Sequence, residues 1–185
     1  MPTTFSTTTS NPHIAALEEV FTKSNNSIEW LVISHDDSRM VRSLCSNLPN
    51  KSTAVLEISQ SQWDFESKDL AEAFEWALQQ SEIKHVVLVG NSQASTSKSR
   101  ASLVGDGESN GGFSKLLAGV KRNNAQNGDA QKDFASHVQK MSQIPVLHNR
   151  WSNGDLEILG IFYRAESGVF VAYDADSNTF QPLVG

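Results

Sequence analysis

The stretch at residues 30–39, W-L-V-I-S-H-D-D-S-R, determines the fold that the sequence predicts. It begins as a continuous apolar run and ends in a polar cluster that contains His35, Asp36, Asp37 and Arg39. Such a run is typical of a buried parallel strand, and open α/β sheets bind ligands at the carboxyl ends of their strands. A second stretch, H-V-V-L-V-G-N-S-Q-A-S at residues 85–95, has the same plan. We therefore expect the two strand ends to face one pocket.

Hydrophobic spacing along the rest of the chain predicts alternating helices and strands. Helices are expected at residues 13–23, 38–48, 68–80, 113–122 and 129–142. Core strands are expected at residues 29–34, 53–58, 86–89 and 144–147. Asn11 and Pro12 are typical of an N-cap and a first helical position, and Asp36 or Asp37 is expected to cap the second helix.

The C-terminal part of the chain has a different pattern. Short strands at residues 156–163, 168–173 and around 180–183 are separated by turns, as in an antiparallel meander. The Ser- and Gly-rich residues 95–112 are expected to be a loop that is either a functional lid or mobile, and residues 123–128 a turn. Because crossover connections force parallel strands, the sequence predicts an α/β fold with a mostly parallel β-sheet flanked by helices and antiparallel C-terminal edge strands. Residues 1–12 are expected to be a flexible arm, and residues 13–185 a single domain.

The composition excludes several classes of function. The 185 residues are 38% hydrophobic and 19% charged, and the formal net charge is −6. The acidic balance disfavours nucleic-acid binding through a general basic surface and leaves open only a local basic patch. The single cysteine, Cys45, excludes an intrachain disulfide and a zinc site made of several thiolates, and we expect it to be a buried, inert thiol. With no long apolar run and no signal-peptide pattern, we expect a cytoplasmic protein without a membrane partner.

Two motifs at the predicted strand ends resemble those of the β-class carbonic anhydrases. That family has a strand that ends in C-x-D-S-R and a later strand that ends in G-H-x-x-C. This chain reads H-D-D-S-R at residues 35–39 and G-N-S-Q-A at residues 90–94, and the resemblance extends over about residues 14–168. It implies the fold of that family and a homodimer or higher oligomer in which the N-terminal helix embraces the partner.

The residues at the zinc-ligand positions depart from the family. Where the family has two cysteines and one histidine, this chain has His35, Asn91 and Ala94. Imidazole binds Zn²⁺, but an amide is a poor ligand and alanine offers none, whereas a catalytic zinc needs about three protein ligands. Without the metal, nothing lowers the pKa of a bound water toward about 7. We therefore expect no metal or other cofactor, and CO₂ hydration that is lost or severely reduced.

Asp37 and Arg39 are retained at the first strand end. The resemblance implies that they are the family's catalytic dyad, in which the arginine keeps the aspartate away from the metal. Without zinc, we expect Arg39 to bind a small anion such as bicarbonate, together with Asn91, Ser92 and helix N-terminal amides. The alternative is that Asp37 and Arg39 only tie the strand end to the next helix. The function expected is that of a non-catalytic anion-binding, structural or regulatory homo-oligomer.

The competing hypothesis is an active enzyme. It would be a carbonate dehydratase with an atypical metal set, or would run other lyase or hydrolase chemistry in a pocket of His35, Asp37 and Arg39. A nucleophilic Ser92 is disfavoured because G-N-S-Q-A lacks the second glycine of a G-x-S-x-G elbow.

A metal site outside the family pattern is a further alternative. It would combine His35, Asp36 and Asp37 with His85 or His148. Because neighbouring residues of a strand point to opposite faces, His35 and Asp36 converge only if the chain turns there.

Overall fold

A computed structural model of the chain describes residues 11–24, 27–34, 38–46, 52–58, 63–92, 100–103 and 127–183, without the side chains of residues 38–40, 100–103 and 127–129. The described residues form the helices α1 (Pro12–Lys23), α2 (Ser38–Cys45), α3 (Lys68–Gln80), α4 (Asn127–Ser142) and α5 (Pro145–Ser152). They also form the strands β1 (Trp30–Ser34), β2 (Thr53–Glu57), β3 (His85–Asn91), β4 (Arg100–Leu103), β5 (Glu157–Arg164), β6 (Val169–Asp174) and β7 (Thr179–Pro182).

The strands form one sheet in the order β4-β2-β1-β3-β5-β6-β7. Strands β2, β1, β3 and β5 are parallel to one another, whereas β4, β6 and β7 pair antiparallel at the two edges. The predicted α/β fold, with a parallel centre and an antiparallel C-terminal meander, is confirmed. Strand β3 lies in the middle of the sheet, and its apolar residues are buried, as a near-continuous run of valines requires.

Helices cover both faces of the sheet. One face, which we call the four-helix face, packs against apolar residues of α1, α3, α4 and α5. The other, which we call the α2 face, packs Val32, Val55, Val87 and Val89 against Val41, Leu44 and Cys45 of α2. Among the described residues, no helix is long and apolar enough to cross a membrane.

The local signals for two helices are confirmed in detail. The Asn11 side chain accepts hydrogen bonds from the backbone N–H groups of His13 (3.0 Å) and Ile14 (3.3 Å), and Pro12 begins α1. Helix α3 has the bounds predicted from its spacing, and the hydroxyl of its N-cap Ser67 accepts from the backbone N–H of Leu70. Capping of this kind satisfies N–H groups that have no partner inside the helix.

The strand predicted at residues 144–147 is wrong. Pro145 is at the first position of α5, and Ile144 is its N-cap residue. Four apolar residues are too few to distinguish a strand from a buried helical turn, and a proline is well suited to begin a helix.

The loop and the turn predicted between β3 and α4 are wrong in part. Strand β4 lies within the expected loop and pairs with β2, opposing Leu103 to Ala54 and Arg100 to Glu57. Helix α4 begins at Asn127, inside the expected turn, and α2 ends at Cys45 rather than at residue 48. Of the arm predicted at residues 1–12, residues 1–10 lie outside the described residues, whereas Asn11 and Pro12 begin α1. The helix predicted at residues 113–122 and the cap at Asp36 or Asp37 also lie outside the described residues.

Two histidines give the fold a dependence on pH. Burial lowers the pKa of His13 on α1 and of His137 on α4, against smaller opposing effects of Asp69 and Asp133. The Nδ1 atom of each ring is buried and has no hydrogen-bond partner within the described part of the chain. Because the pKa of each is lower in the folded state than the unfolded value of 6.5, the unfolded chain takes up these protons first as the pH falls.

We expect the free energy of unfolding contributed by these residues to be complete above pH 6.5 and to decline as the pH falls below it. Urea denaturation at a series of pH values measures this slope for the wild type and for the His13→Gln/His137→Gln variant, which should be less sensitive to pH between neutrality and the range where carboxylates titrate. The His148→Gln variant, altered at an exposed ring, is the control. Equal slopes for all three proteins would contradict the assignment.

Candidate functional site at the carboxyl edge of the sheet

The ends of β1 and β3 lie at the same edge of the sheet, as their sequences predict. The two strands are adjacent and parallel, with Ser34 opposite Val89, so β3 continues for two more residues to Gly90 and Asn91. On its other side, Asn91 is opposite Tyr163 of β5. The edge formed by these ends is the place where an open parallel sheet binds ligands.

Gly90 lets the end of strand β3 pack closely against helix α4. A Cβ atom at this position would lie 2.6 Å from Cε2 of Phe134, a distance that real Cβ atoms do not show. Phe134 itself is fully buried, with its ring centroid 5.3 Å from that of Phe162. This close packing holds the four-helix face and directs the next residue, Asn91, to the α2 face.

Three polar residues at this edge are buried. Ser34, Glu57 and Asn91 are 0%, 7% and 7% exposed. Each ends its strand, and alternation from Val32, Val55 and Val89 of the α2 face puts the side chains of all three on that face. The carboxyl edge therefore presents an amide, a hydroxyl and a carboxylate beside α2.

Ser34 and Glu57 were missed by the sequence reasoning. Both directly follow apolar strand residues. Because side chains alternate along a strand, each lies on the same face as the buried valine two positions earlier. This alternation was the signal that could have found them, since a polar residue on the buried face at the end of a strand is a candidate for a binding site.

Ser92 follows Asn91 and contacts the turn between β5 and β6. Its hydroxyl accepts a hydrogen bond from the backbone N–H of Ala165 at 3.0 Å and donates one to Oε2 of Glu166 at 3.1 Å. Its own backbone N–H donates to the carbonyl oxygen of Tyr163 at 3.1 Å. Glu166 was not found from the sequence, because it is 74 residues from Ser92 along the chain.

The turn that carries Glu166 is itself anchored. The carbonyl oxygen of Arg164 accepts from the backbone N–H groups of Ser167 (3.2 Å) and Gly168 (2.8 Å). With the Gln131 amide oxygen facing the guanidinium, Arg164 donates to it from Nη2 at 2.9 Å and from Nε at 2.6 Å. The guanidinium of Arg164, the last residue of β5 before this turn, is therefore directed to helix α4.

Of the other predicted site residues, His35, Asp36, Asp37 and Ala94 lie outside the described residues, and Arg39 is described only by its backbone in α2. Their roles stay predictions. Among the described residues, no group of three or more His, Cys, Asp or Glu side chains is placed to hold a metal ion.

The two histidines considered for an alternative metal site lie elsewhere. His85 is at the amino-terminal end of β3, opposite Trp30, four rows before Ser34 and so on the order of 13 Å from the carboxyl edge. Its ring stacks on Trp30 with centroids 3.8 Å apart, and Nδ1 lies 2.9 Å from Oε2 of Glu157. His148 is on α5, with its ring 6.1 Å from that of Trp151.

Cys45 has the environment of an inert thiol, as predicted. It is fully buried on the α2 face, and burial raises the pKa of its thiol to about 12. The thiolate, which is both the nucleophile and the metal ligand, is therefore scarce at neutral pH.

Solved structures of β-carbonic anhydrases share this fold. The β-carbonic anhydrase CcaA matches with a TM-score of 0.57 and 18% identity, over 94% of this chain and 84% of that one. CafA of the fungal pathogen Aspergillus fumigatus matches with a TM-score of 0.54 and 18% identity, over 88% of this chain and 82% of that one. The Coccomyxa β-carbonic anhydrase, solved in complex with acetazolamide, matches with a TM-score of 0.53 and 16% identity, over 84% of this chain and 78% of that one.

No protein-family model matches the sequence, and no curated protein matches it. The chain has a β-carbonic-anhydrase-like fold, as the two strand-end motifs indicate. At these identities the likeness is one of fold, and function has to be argued from the site.

Proposed function

We propose that this chain is a β-carbonic-anhydrase-like protein that lacks catalytic zinc and binds a small anion at the carboxyl edge of its sheet. The observation that supports the proposal is the placement of Asn91. This residue is the buried last residue of the central strand, and it takes the position that matches the family's zinc-ligating histidine. An amide at this position changes the chemistry of the site without changing the fold around it.

The set of side chains at the three matching positions does not fit a catalytic zinc. His35 supplies one good ligand, Asn91 a poor one and Ala94 none, whereas about three are needed to leave one position open for water. Without a metal-bound hydroxide of near-neutral pKa, the CO₂ hydration reaction has no nucleophile. We therefore propose that the chain is not a carbonic anhydrase in activity.

Donor groups at this edge favour binding of an anion, whereas the Glu57 carboxylate, which is buried at the same edge, opposes it. Arg39 lies in the first turn of α2, where backbone N–H groups without helical partners also point outward. A guanidinium binds a planar carboxylate-like anion through two parallel hydrogen bonds, and the Asn91 amide adds a donor. The resemblance implies that Asp37 pairs with Arg39, and we propose Ser92 as the third group of the site. A planar anion such as bicarbonate suits these donors.

We also propose self-association as a homodimer or higher oligomer, with a regulatory or structural role. The support is the resemblance of α1 to the N-terminal helix through which members of that family embrace a partner. A cytoplasmic location likewise stays a prediction.

Binding of bicarbonate tests the proposal. In a titration of the purified protein followed by ¹³C NMR, we expect saturable millimolar binding that Arg39→Ala weakens at least about tenfold, the cost of a lost charge-assisted hydrogen bond. Arg42→Ala, at an exposed arginine one turn along α2, is the matched control and should bind as the wild type does. Stopped-flow assays should show CO₂ hydration no faster than in buffer.

Two outcomes would contradict the proposal. Equal binding by the wild type and Arg39→Ala would show that the anion does not bind at this edge. Hydration above the buffer rate that a chelator abolishes would favour the competing hypothesis of an enzyme with an atypical metal set.

A further inference from the structure

The hydroxyl of Ser92 is held at a fixed position by the backbone. It accepts from the Ala165 N–H at 3.0 Å, and the Ser92 N–H donates to the Tyr163 carbonyl at 3.1 Å. Both bonds link the end of β3 to β5 and its turn, so the oxygen stays in place whatever its proton does. The position of the proton is therefore the variable part of this arrangement.

A serine hydroxyl has one proton and serves one acceptor at a time. Here that acceptor is Oε2 of Glu166, at 3.1 Å. The Glu166 side chain is exposed, and within the described part of the chain Ser92 is the hydrogen-bond partner of its carboxylate. Because the carboxylate is exposed, water competes for it, so another acceptor can replace Glu166 at the Ser92 hydroxyl.

The Glu166 carboxylate has the shape and charge of the anion that the proposed site would bind. A carboxylate and bicarbonate both present two coplanar oxygens on one carbon with a single negative charge. Any anion that approached the Ser92 hydroxyl would lie within about 6 Å of Glu166, since both groups contact the same oxygen atom. The two would then compete for the same proton and also repel each other.

We propose that Glu166 is an internal competitor for the anion site: its carboxylate occupies the Ser92 hydroxyl and must be displaced when an external planar anion binds. This inference rests on the proposed anion-binding function and adds its specificity-determining residue. It makes the ligand class a small planar monoanion of the carboxylate or bicarbonate type. The turn with Glu166 therefore sets the affinity of the site below what its other donors would give.

The test compares Glu166→Gln with Glu82→Gln in the bicarbonate titration. Both variants remove one negative charge at an exposed position, so the second controls for net charge. We expect Glu166→Gln to bind about 5- to 10-fold more tightly than the wild type, with a difference that shrinks as salt is added, and Glu82→Gln to stay within about twofold. Acetate, added as a second probe, should show the same order of affinities.

A double variant separates competition for the hydroxyl from general repulsion. In a Ser92→Ala background, where no hydroxyl is available, the change Glu166→Gln should increase affinity by clearly less than it does in the wild type. Thermal unfolding of each variant shows that the turn substitution leaves the fold intact, as expected at an exposed side chain.

Each outcome decides between the claims. Binding by Glu166→Gln that is tighter than that of the wild type, or that appears only in this variant, supports the inference. Binding that Arg39→Ala weakens and Glu166→Gln leaves unchanged overturns the inference while the proposed function stands. No binding by any of the proteins overturns both.

Discussion

The Gly90→Ala variant will lose about 3 kcal/mol of its free energy of unfolding, the upper part of the range for overpacking a close-packed core. The added methyl group would have to occupy space taken by the ring of Phe134, with Cε2 at 2.6 Å. Neither partner can move cheaply, because Gly90 is in the central strand and Phe134 is fully buried. Urea denaturation followed by circular dichroism measures the change.

Two comparisons identify the cause of this loss. Gly160→Ala, on neighbouring β5, meets mainly one methyl group, Val138 Cγ2 at 2.8 Å, and should cost less, about 1 kcal/mol. Adding Phe134→Leu to Gly90→Ala should recover part of the loss, because the ring atoms that cause the clash are removed. A Gly90→Ala protein with the stability of the wild type would show that β3 and α4 are not packed as described.

The variant that replaces His35 with Cys, Asn91 with His and Ala94 with Cys will bind about one zinc ion per chain. These three changes restore the ligand types that the family has at the matching positions. The chain that carries them already has a β-carbonic-anhydrase-like fold, and Asn91 already ends its central strand. With a metal-bound water of lowered pKa, CO₂ hydration should rise at least about 100-fold above the buffer rate. Metal analysis and stopped-flow assays measure the two effects.

The partial variant His35→Cys/Ala94→Cys, which keeps Asn91, is the control. With only two good ligands it should bind zinc more weakly and should not support hydration. A folded triple variant without zinc would show that more than the ligands separates this site from a carbonic anhydrase.

The central part of the fold could be predicted because its signals are local. The apolar run of β3, the spacing of α3 and the Asn11 cap each specify one element without reference to distant residues. The order of parallel strands then follows from the crossovers between them. These elements bring the ends of β1 and β3 together, and so the position of Asn91 was available from the sequence.

The elements that were missed depend on distant partners or on ambiguous runs. Strand β4 is a strand because β2 offers an edge to pair with, and R-A-S-L in a polar region does not show this. At residues 144–147, the short apolar run fits a strand as well as a helix, and the structure has a helix that begins at Pro145. In the site, Glu166 reaches Ser92 only through the β5–β6 turn, and no spacing rule connects the two residues.

The zinc content of the purified chain decides whether the site at the carboxyl edge holds a catalytic metal. Mass spectrometry of the metals bound to protein that was expressed with zinc supplied, then dialysed without a chelator, gives the number of ions per chain. We expect substoichiometric zinc, below about one-tenth of an equivalent, because Asn91 and Ala94 leave too few ligands for a catalytic site. One equivalent of tightly bound zinc per chain would contradict this expectation.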